Sequence, residues 1–465
     1  MLVFAVILYF VVTLTIGFIA SRQVKTTGDF INAGRNLHPA VNTAALFALW
    51  FGSETVFGAS AEFSEHGFSG VIEDPLGGVL CLLLVGIFFS KRLYRLNIYT
   101  IGDLFRIKYG PGVELLSTVL MIISFIGYAA AQIVALGLIS QSLLGITLHA
   151  GMLLSVSIVV IYTFTGGMWA VSVTDFIQSI LIVAGLMAVS YFVYDMVGGV
   201  APVLSSLTPE QKRILPDNNV MDWLNWFSAW MVLGFGSIAS QDIFQRVNSA
   251  RSEKAAYTST IAGALMYLVF SMLPLYLIAS IKMIDPSLLQ GDLQLVLPQF
   301  VQQQMPMWLQ ILFFGSLLSA IMSTCSGALL APASLLSENI IKPNLSKKIS
   351  DRTFLLLTRI SVVIISSVAM ILAFSRQNIF ELVGEASVIG LVTIFVPFCA
   401  ALFFDHTNKS GAIISMLAGT LIYVVFRFFY ITELNPLLPG LLASMAGIVI
   451  GEVIGGQKRD SELKT

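Results

Sequence analysis

Apolar runs of about twenty residues recur along the whole chain, separated by short polar connections. The runs are continuous, not alternating residue by residue, so they predict membrane-spanning helices and exclude a β-barrel. Thirteen spans are expected, at roughly 2–21, 40–64, 71–91, 112–143, 147–166, 172–195, 222–246, 255–282, 307–332, 353–375, 379–404, 408–430 and 435–456. The longest connections, 196–221 and 283–306, are too short for a separate soluble domain. The second of them, DPSLLQGDLQLVLPQFVQQQMP, suits a short amphipathic helix on the surface. The first run, Leu2–Ala20, is long enough to span and lacks a basic leader, so no cleaved signal is expected.

Composition agrees. The 465 residues are 57% hydrophobic and only 11% charged, whereas a soluble domain carries about 25% charged residues. A net charge of -1 gives no reason to expect a nucleic-acid partner. Cys81, Cys325 and Cys399 fall in separate apolar runs, which fits free thiols and no zinc site. Lys and Arg decide orientation. With the N-terminus outside and the C-terminus cytoplasmic, nineteen of 25 basic residues fall in cytoplasmic loops: Arg22, Lys25, Arg35, Lys91, Arg92, Arg95, Arg106, Lys108, Arg246, Arg251, Lys254, Lys342, Lys347, Lys348, Arg352, Lys409, Lys458, Arg459 and Lys464. The expected location is a plasma membrane of the bacterial inner-membrane kind.

Within this pattern the second span reads badly. LFALWFGSETVFGAS, residues 46–60, sets Gly52, Ser53, Glu54 and Thr55 in mid-span. Unwound backbone at that depth is tolerated where it is buried in protein or lines a cavity, and freed carbonyls there can coordinate a cation. A second interruption, VLGFGSIASQD at 232–242, lies five spans later, which points to an inverted repeat. In the ninth span Ala320, Ser323, Thr324 and Gly327 recur at helical spacing, with Ser316, Ser319 and Ser326 extending a small polar face. Close helix packing explains such a stripe; so does a set of oxygen ligands for a small hard cation. Glu54, Glu73, Asp74, Asp175, Asp242 and Glu385 lie in or at the ends of spans, with almost no embedded basic residue expected to pair with them.

Three motifs then resemble the sodium:solute symporter family. They are YTFTGGMWAVSVTDFIQ (162–178), SQDIFQRVNSARSEKAA (240–256) and LSAIMSTCSGALL (318–330), in the family's order. The resemblance implies an all-α LeuT-type fold with a 5+5 inverted repeat. Its parts would be an N-terminal helix and loop (1–38), a ten-helix core (39–404) and two C-terminal helices with a short tail (405–465). It implies a sodium site formed by the carbonyls of Ala48, Phe51 and Ala320 and the hydroxyls of Ser323 and Thr324. It also implies a second sodium at Asp175, Ser323 and Ser326, although Gly327 stands where a further hydroxyl is expected.

Around Trp50 the chain looks most like the family's high-affinity choline-carrier branch. Trp50, Glu54, Thr55, Glu73, Tyr128 and Glu385 are the expected substrate-binding residues, because aromatic faces and surplus carboxylates suit an organic cation or zwitterion. The expected function is sodium-coupled import of such a solute by alternating access, with solute, sodium and lipid as partners. The alternatives are the same mechanism for an uncharged or carboxylate solute, or a sensor or channel on the same scaffold. No soluble extension beyond GQKRDSELKT suggests a sensor, and no nucleophile–base set suggests an enzyme.

Overall fold

The computed structural model describes residues 1–216, 219–345, 349–376, 378–430 and 433–462, with side chains as far as residue 454. Lys347, Lys348 and Lys464 lie outside the described residues, as do the side chains of Lys458 and Arg459. Every named element among the described residues is helical. Among the described residues, ten helices are long and apolar enough to cross a membrane, or eleven if the bent pair Pro39–Trp50 and Glu54–Ser69 forms one span. Two places account for the difference from thirteen. Expected spans 147–166 and 172–195 run together as Leu148–Val197, with a non-helical Gly167 inside. Expected span 222–246 is divided into Val220–Gly236 and Gln241–Ser249, both short.

Gly167 marks a sharp bend. Its φ of 46° and ψ of −139° lie where L side chains are strained, and a Cβ there would stand 2.4 Å from the Phe30 carbonyl oxygen. Gly167→Ala is expected to destabilise the protein by about 2–3 kcal/mol. Thermal unfolding in detergent measures this, and an unchanged midpoint would contradict it.

The first broken helix follows from local chemistry. Pro39 opens it at a position where a missing N–H costs nothing. Trp50 ends the first half; Phe51, at φ −86° and ψ 67°, is outside helical geometry, and the second half leaves at 50°. Thr55 donates from its hydroxyl to the Trp50 carbonyl at 3.0 Å, satisfying an acceptor that the break would orphan. The second broken helix turns at Ser237–Ser240, where Ser240 is extended.

Met307–Leu335 is the central helix. Its span is 83% buried, against 22% for Leu2–Ser21 at the periphery. Ser316, Ser319, Ser323, Thr324 and Ser326 are all buried, and Gly185 lets a neighbouring helix approach Ser316 closely. Outward residues such as Phe4, Ile123, Ile180, Ile371 and Leu421 are exposed apolar side chains, as lipid contact requires. The 283–306 connection does contain a short helix, Val296–Gln304, but it does not lie free on the surface. Val296, Leu297, Phe300 and Val301 are buried against the protein.

Candidate functional site

The break at Phe51–Ser53 faces the central helix. Thr324 donates through Oγ1 to the Ala48 carbonyl at 3.0 Å and to the Ala320 carbonyl at 3.2 Å. Three of the five expected sodium ligands therefore meet at one hydroxyl. Ser323, on the next position of the helix, turns instead to Asp175 and donates to its Oδ1 at 2.5 Å. Phe51 sits at the end of the half-helix, fully buried. Hard cations take oxygens of this kind, so the residues present fit a sodium ion between the broken helix and the central one.

The expected second sodium set also comes together. Ser323 contacts Asp175, and Ser326 donates to the Ser323 carbonyl at 2.8 Å. A cation is already there, however. Arg246 Nη2 lies 3.1 Å from Asp175 Oδ2, with both side chains fully buried. Its Nε donates to the Ala45 carbonyl at 3.0 Å and its Nη1 to the Asp242 carbonyl at 3.4 Å. A Cβ on Gly327 would approach the guanidinium to 3.0–3.1 Å, so the missing side chain at Gly327 is where Arg246 fits. This corrects two expectations: Arg246 is not a loop residue, and the embedded acids are not without basic partners.

A cavity opens beside the break. It is lined by Leu49, Trp50 and Glu54 from the first broken helix, and by Met121, Ser124, Phe125 and Tyr128 from Pro111–Leu144. Gly236, Ser237, Ser240 and Asp242 come from the second break, and Ala386 and Ser387 from Ile379–Gly390. Its free volume is about 60 Å³, enough for several waters but below the roughly 300 Å³ of an open ligand pocket. The cavity is thus narrow in this conformation and must widen to take a solute. Trp50 is buried, with its Nε1 unpartnered. Its ring packs on Gly78 and lies 6.0 Å from the Tyr267 ring.

Glu54 is 3% exposed. Its Oε2 accepts from Gln132 Nε2 at 2.8 Å and Ser53 Oγ at 3.3 Å, and its Oε1 from Tyr128 OH at 3.4 Å. Asp242 faces the cavity from the second break and accepts from Ser240 Oγ and from the Ile243 N–H at 2.7 Å. Neither Lys nor Arg lines the cavity among the described residues.

The remaining expected substrate residues stand elsewhere. Thr55 Oγ1 lies 2.7 Å from Tyr267 OH and 3.2 Å from Asp74 Oδ2, while Tyr267 donates to Asp74 Oδ1 at 2.6 Å. Glu73 and Glu385 line a separate cleft with Phe380, Glu381, Tyr423 and Arg427. Glu385 is paired there, at 2.5 Å from Arg376 Nη1 and 2.9 Å from Arg427 Nη2. Asp242 and Asp74 were visible in the sequence as acids, but their partners Ser240 and Tyr267 carried no signal. Gln132, Ser237 and Ser387 were missed because isolated polar residues in apolar spans look like packing.

Two broken helices around a small mid-protein cavity, with an oxygen cradle at the first break, define a secondary transporter. Comparison with known proteins makes this specific. A family model described as "Sodium:solute symporter family" matches residues 30–419, and the chain belongs to that family. It is 26% identical to the high-affinity choline transporter 1 of Caenorhabditis elegans, over 91% of this chain and 76% of that one. It is also 26% identical to the osmoregulated proline transporter OpuE of Bacillus subtilis, over 96% of this chain and 93% of that one. Its fold matches that of a Na+-coupled sialic acid symporter in a substrate-bound outward-open state, with a TM-score of 0.84 and 18% identity, over 97% of this chain and 96% of the other. The protein is an integral membrane symporter of LeuT-type fold that couples sodium to a small solute.

Proposed function

We propose that the solute is a small organic cation or zwitterion, imported with one sodium ion by alternating access. The observation that carries this is the cavity lining: the rings of Trp50, Phe125 and Tyr128 with the carboxylates of Glu54 and Asp242, and no basic side chain among the described residues. An ammonium group is attracted to aromatic faces and carboxylates alike. A carboxylate solute would meet two like charges with nothing to offset them. The sodium sits at Ala48, Phe51, Ala320, Ser323 and Thr324, and Asp175 already has a guanidinium in place of a second ion. The N-terminus lies outside and the C-terminus in the cytoplasm, on the distribution of basic loops. Transport without covalent chemistry is the role.

A zwitterion such as proline is one form of this reading. The hydroxyls of Ser237, Ser240 and Ser387 on one side of the cavity would serve its carboxylate while the acids served its amine. The similarity of the chain to choline and proline carriers supports the cation and the zwitterion equally.

Sodium-driven uptake into proteoliposomes, with a panel of amines, amino acids, sugars and carboxylates, tests the proposal. An amine or zwitterion should be taken up with a sodium Hill slope near one. Preference for a sugar or an anion would overturn it. Trp50→Ala should weaken binding of the transported solute by about 1–2 kcal/mol, with sodium affinity largely kept. Unchanged solute affinity in that variant would remove Trp50 from the site.

A further inference from the structure

Gly52 stands at the centre of the break, between the cavity and the central helix. A Cβ placed on it would lie 2.8 Å from Glu54 Oε2 and 2.8 Å from Thr324 Oγ1. The two oxygens are therefore no more than twice that distance apart, packed so closely over Gly52 that a side chain there would displace both. Hard cations of sodium's size hold oxygens at about 2.3–2.6 Å, so an ion placed between the two can touch both after a small adjustment of the side chains. Thr324 Oγ1 is the same atom that touches the Ala48 and Ala320 carbonyls.

Glu54 also needs such a partner. Its carboxylate is buried, and the groups that donate to it are Gln132, Ser53 and Tyr128, all neutral. Amide and hydroxyl donors solvate a charge but do not cancel it, and an uncancelled charge in a membrane interior is costly. Asp175, another deep acid, has an arginine against it, whereas the carboxylates of Asp74 and Asp242, like that of Glu54, are met by neutral donors. Nothing comparable stands against Glu54 among its hydrogen-bond partners.

We propose that Glu54 is the anionic ligand of the coupling sodium, holding the ion over Gly52 opposite Thr324. This inference rests on the sodium site proposed above. The ion would then sit at a charged site, not one built of neutral oxygens alone. Oε2 would face the ion while Oε1, beside Tyr128, faces the cavity. One carboxylate would so touch both the sodium and the place of the solute, and the solute's amine would be left chiefly to Asp242 and the aromatic rings. Glycine stands at position 52 because a Cβ would collide with both oxygens. Its backbone is not in the left-handed region, so conformation alone does not demand glycine there.

Binding of ²²Na⁺ to the purified full-length protein, measured without solute, tests the assignment. Glu54→Gln should lower sodium affinity about tenfold or more, the loss seen even for groups one shell out from a metal. Gly52→Ala keeps the carboxylate but its methyl displaces both Glu54 Oε2 and Thr324 Oγ1, and should give a similar loss. Thr324→Val tests the underlying site separately. If Thr324→Val leaves sodium binding unchanged, the site itself is misplaced. If Thr324→Val weakens binding while Glu54→Gln and Gly52→Ala do not, the site stands and the role of Glu54 is overturned. Asp242→Asn removes the cavity's other carboxylate. A loss equal to that of Glu54→Gln would assign the effect to a general negative field and overturn direct ligation. Should Glu54→Gln fail to fold, Glu54→Asp, which keeps the charge but draws it away from Thr324, decides: unchanged sodium affinity in that variant would overturn the role of Glu54.

Discussion

Arg246→Gln is expected to lower stability by about 3–5 kcal/mol, the usual result of removing one partner from a buried ion pair. The guanidinium is fully buried and its loss leaves Asp175, also fully buried, with only the Ser323 hydroxyl. Two further bonds go with it, to the carbonyl of Ala45 in the first broken helix and of Asp242 in the second. Thermal unfolding in detergent reads the loss. Adding Asp175→Asn should restore much of the midpoint, because the uncompensated charge is the larger part of the penalty. The double variant would still lack the tie between the two broken helices, so slow transport at near-normal stability is its expected behaviour. A single variant with the native midpoint would contradict this account of the pair.

That pair also shows where reading the sequence stopped. The segment QDIFQRVNSARSEK is polar, and polarity in a membrane protein reads as a loop. Yet every residue of Gln241–Ser249 is buried. Three of its polar side chains, Gln241, Gln245 and Arg246, find partners on distant segments. Gln241 accepts from the Ile101 N–H at 2.8 Å, and Gln245 donates to Ser334 Oγ at 2.9 Å. Arg246 reaches Asp175, 71 positions away. Burial bought by long-range pairing leaves no local mark, since composition and periodicity report only what a segment would do alone.

Glu385 lies in an apolar run and reads as unpaired, but Arg376, nine residues before it, and Arg427, 42 residues after it, both reach its carboxylate. By contrast, the break at Gly52 and Ser53 was legible, because glycine and serine in mid-span weaken a helix whatever surrounds them. The small-residue stripe of the central helix was legible too: its periodicity is local, and close packing is its direct consequence. What the stripe could not reveal is that adjacent hydroxyls part company, Thr324 serving the break and Ser323 serving Asp175.

That division shapes the second large effect. Replacing Ser323 and Thr324 together by Ala should reduce sodium affinity about 100-fold or more, at roughly 1.5–3 kcal/mol for each lost bond to a charged group. Helix packing should survive, because alanine is small and a good helix former. The Ala48 and Ala320 carbonyls now share one hydroxyl proton from Thr324. A hydroxyl has two lone pairs besides its proton, so an ion can be held by Thr324 Oγ1 once that proton turns away, with both carbonyls free to bind the same ion. Alanine offers neither the proton nor the lone pair, and the cradle loses the atom on which its oxygens converge. Loss of the Ser323 bond to Asp175 is a smaller cost, since Arg246 remains against that carboxylate. Sodium titration of binding and of uptake in the double variant measures the outcome, with expression and monodispersity as the check on folding. Unchanged sodium dependence in a well-folded double variant would mean that the stripe serves packing alone and that the ion binds elsewhere.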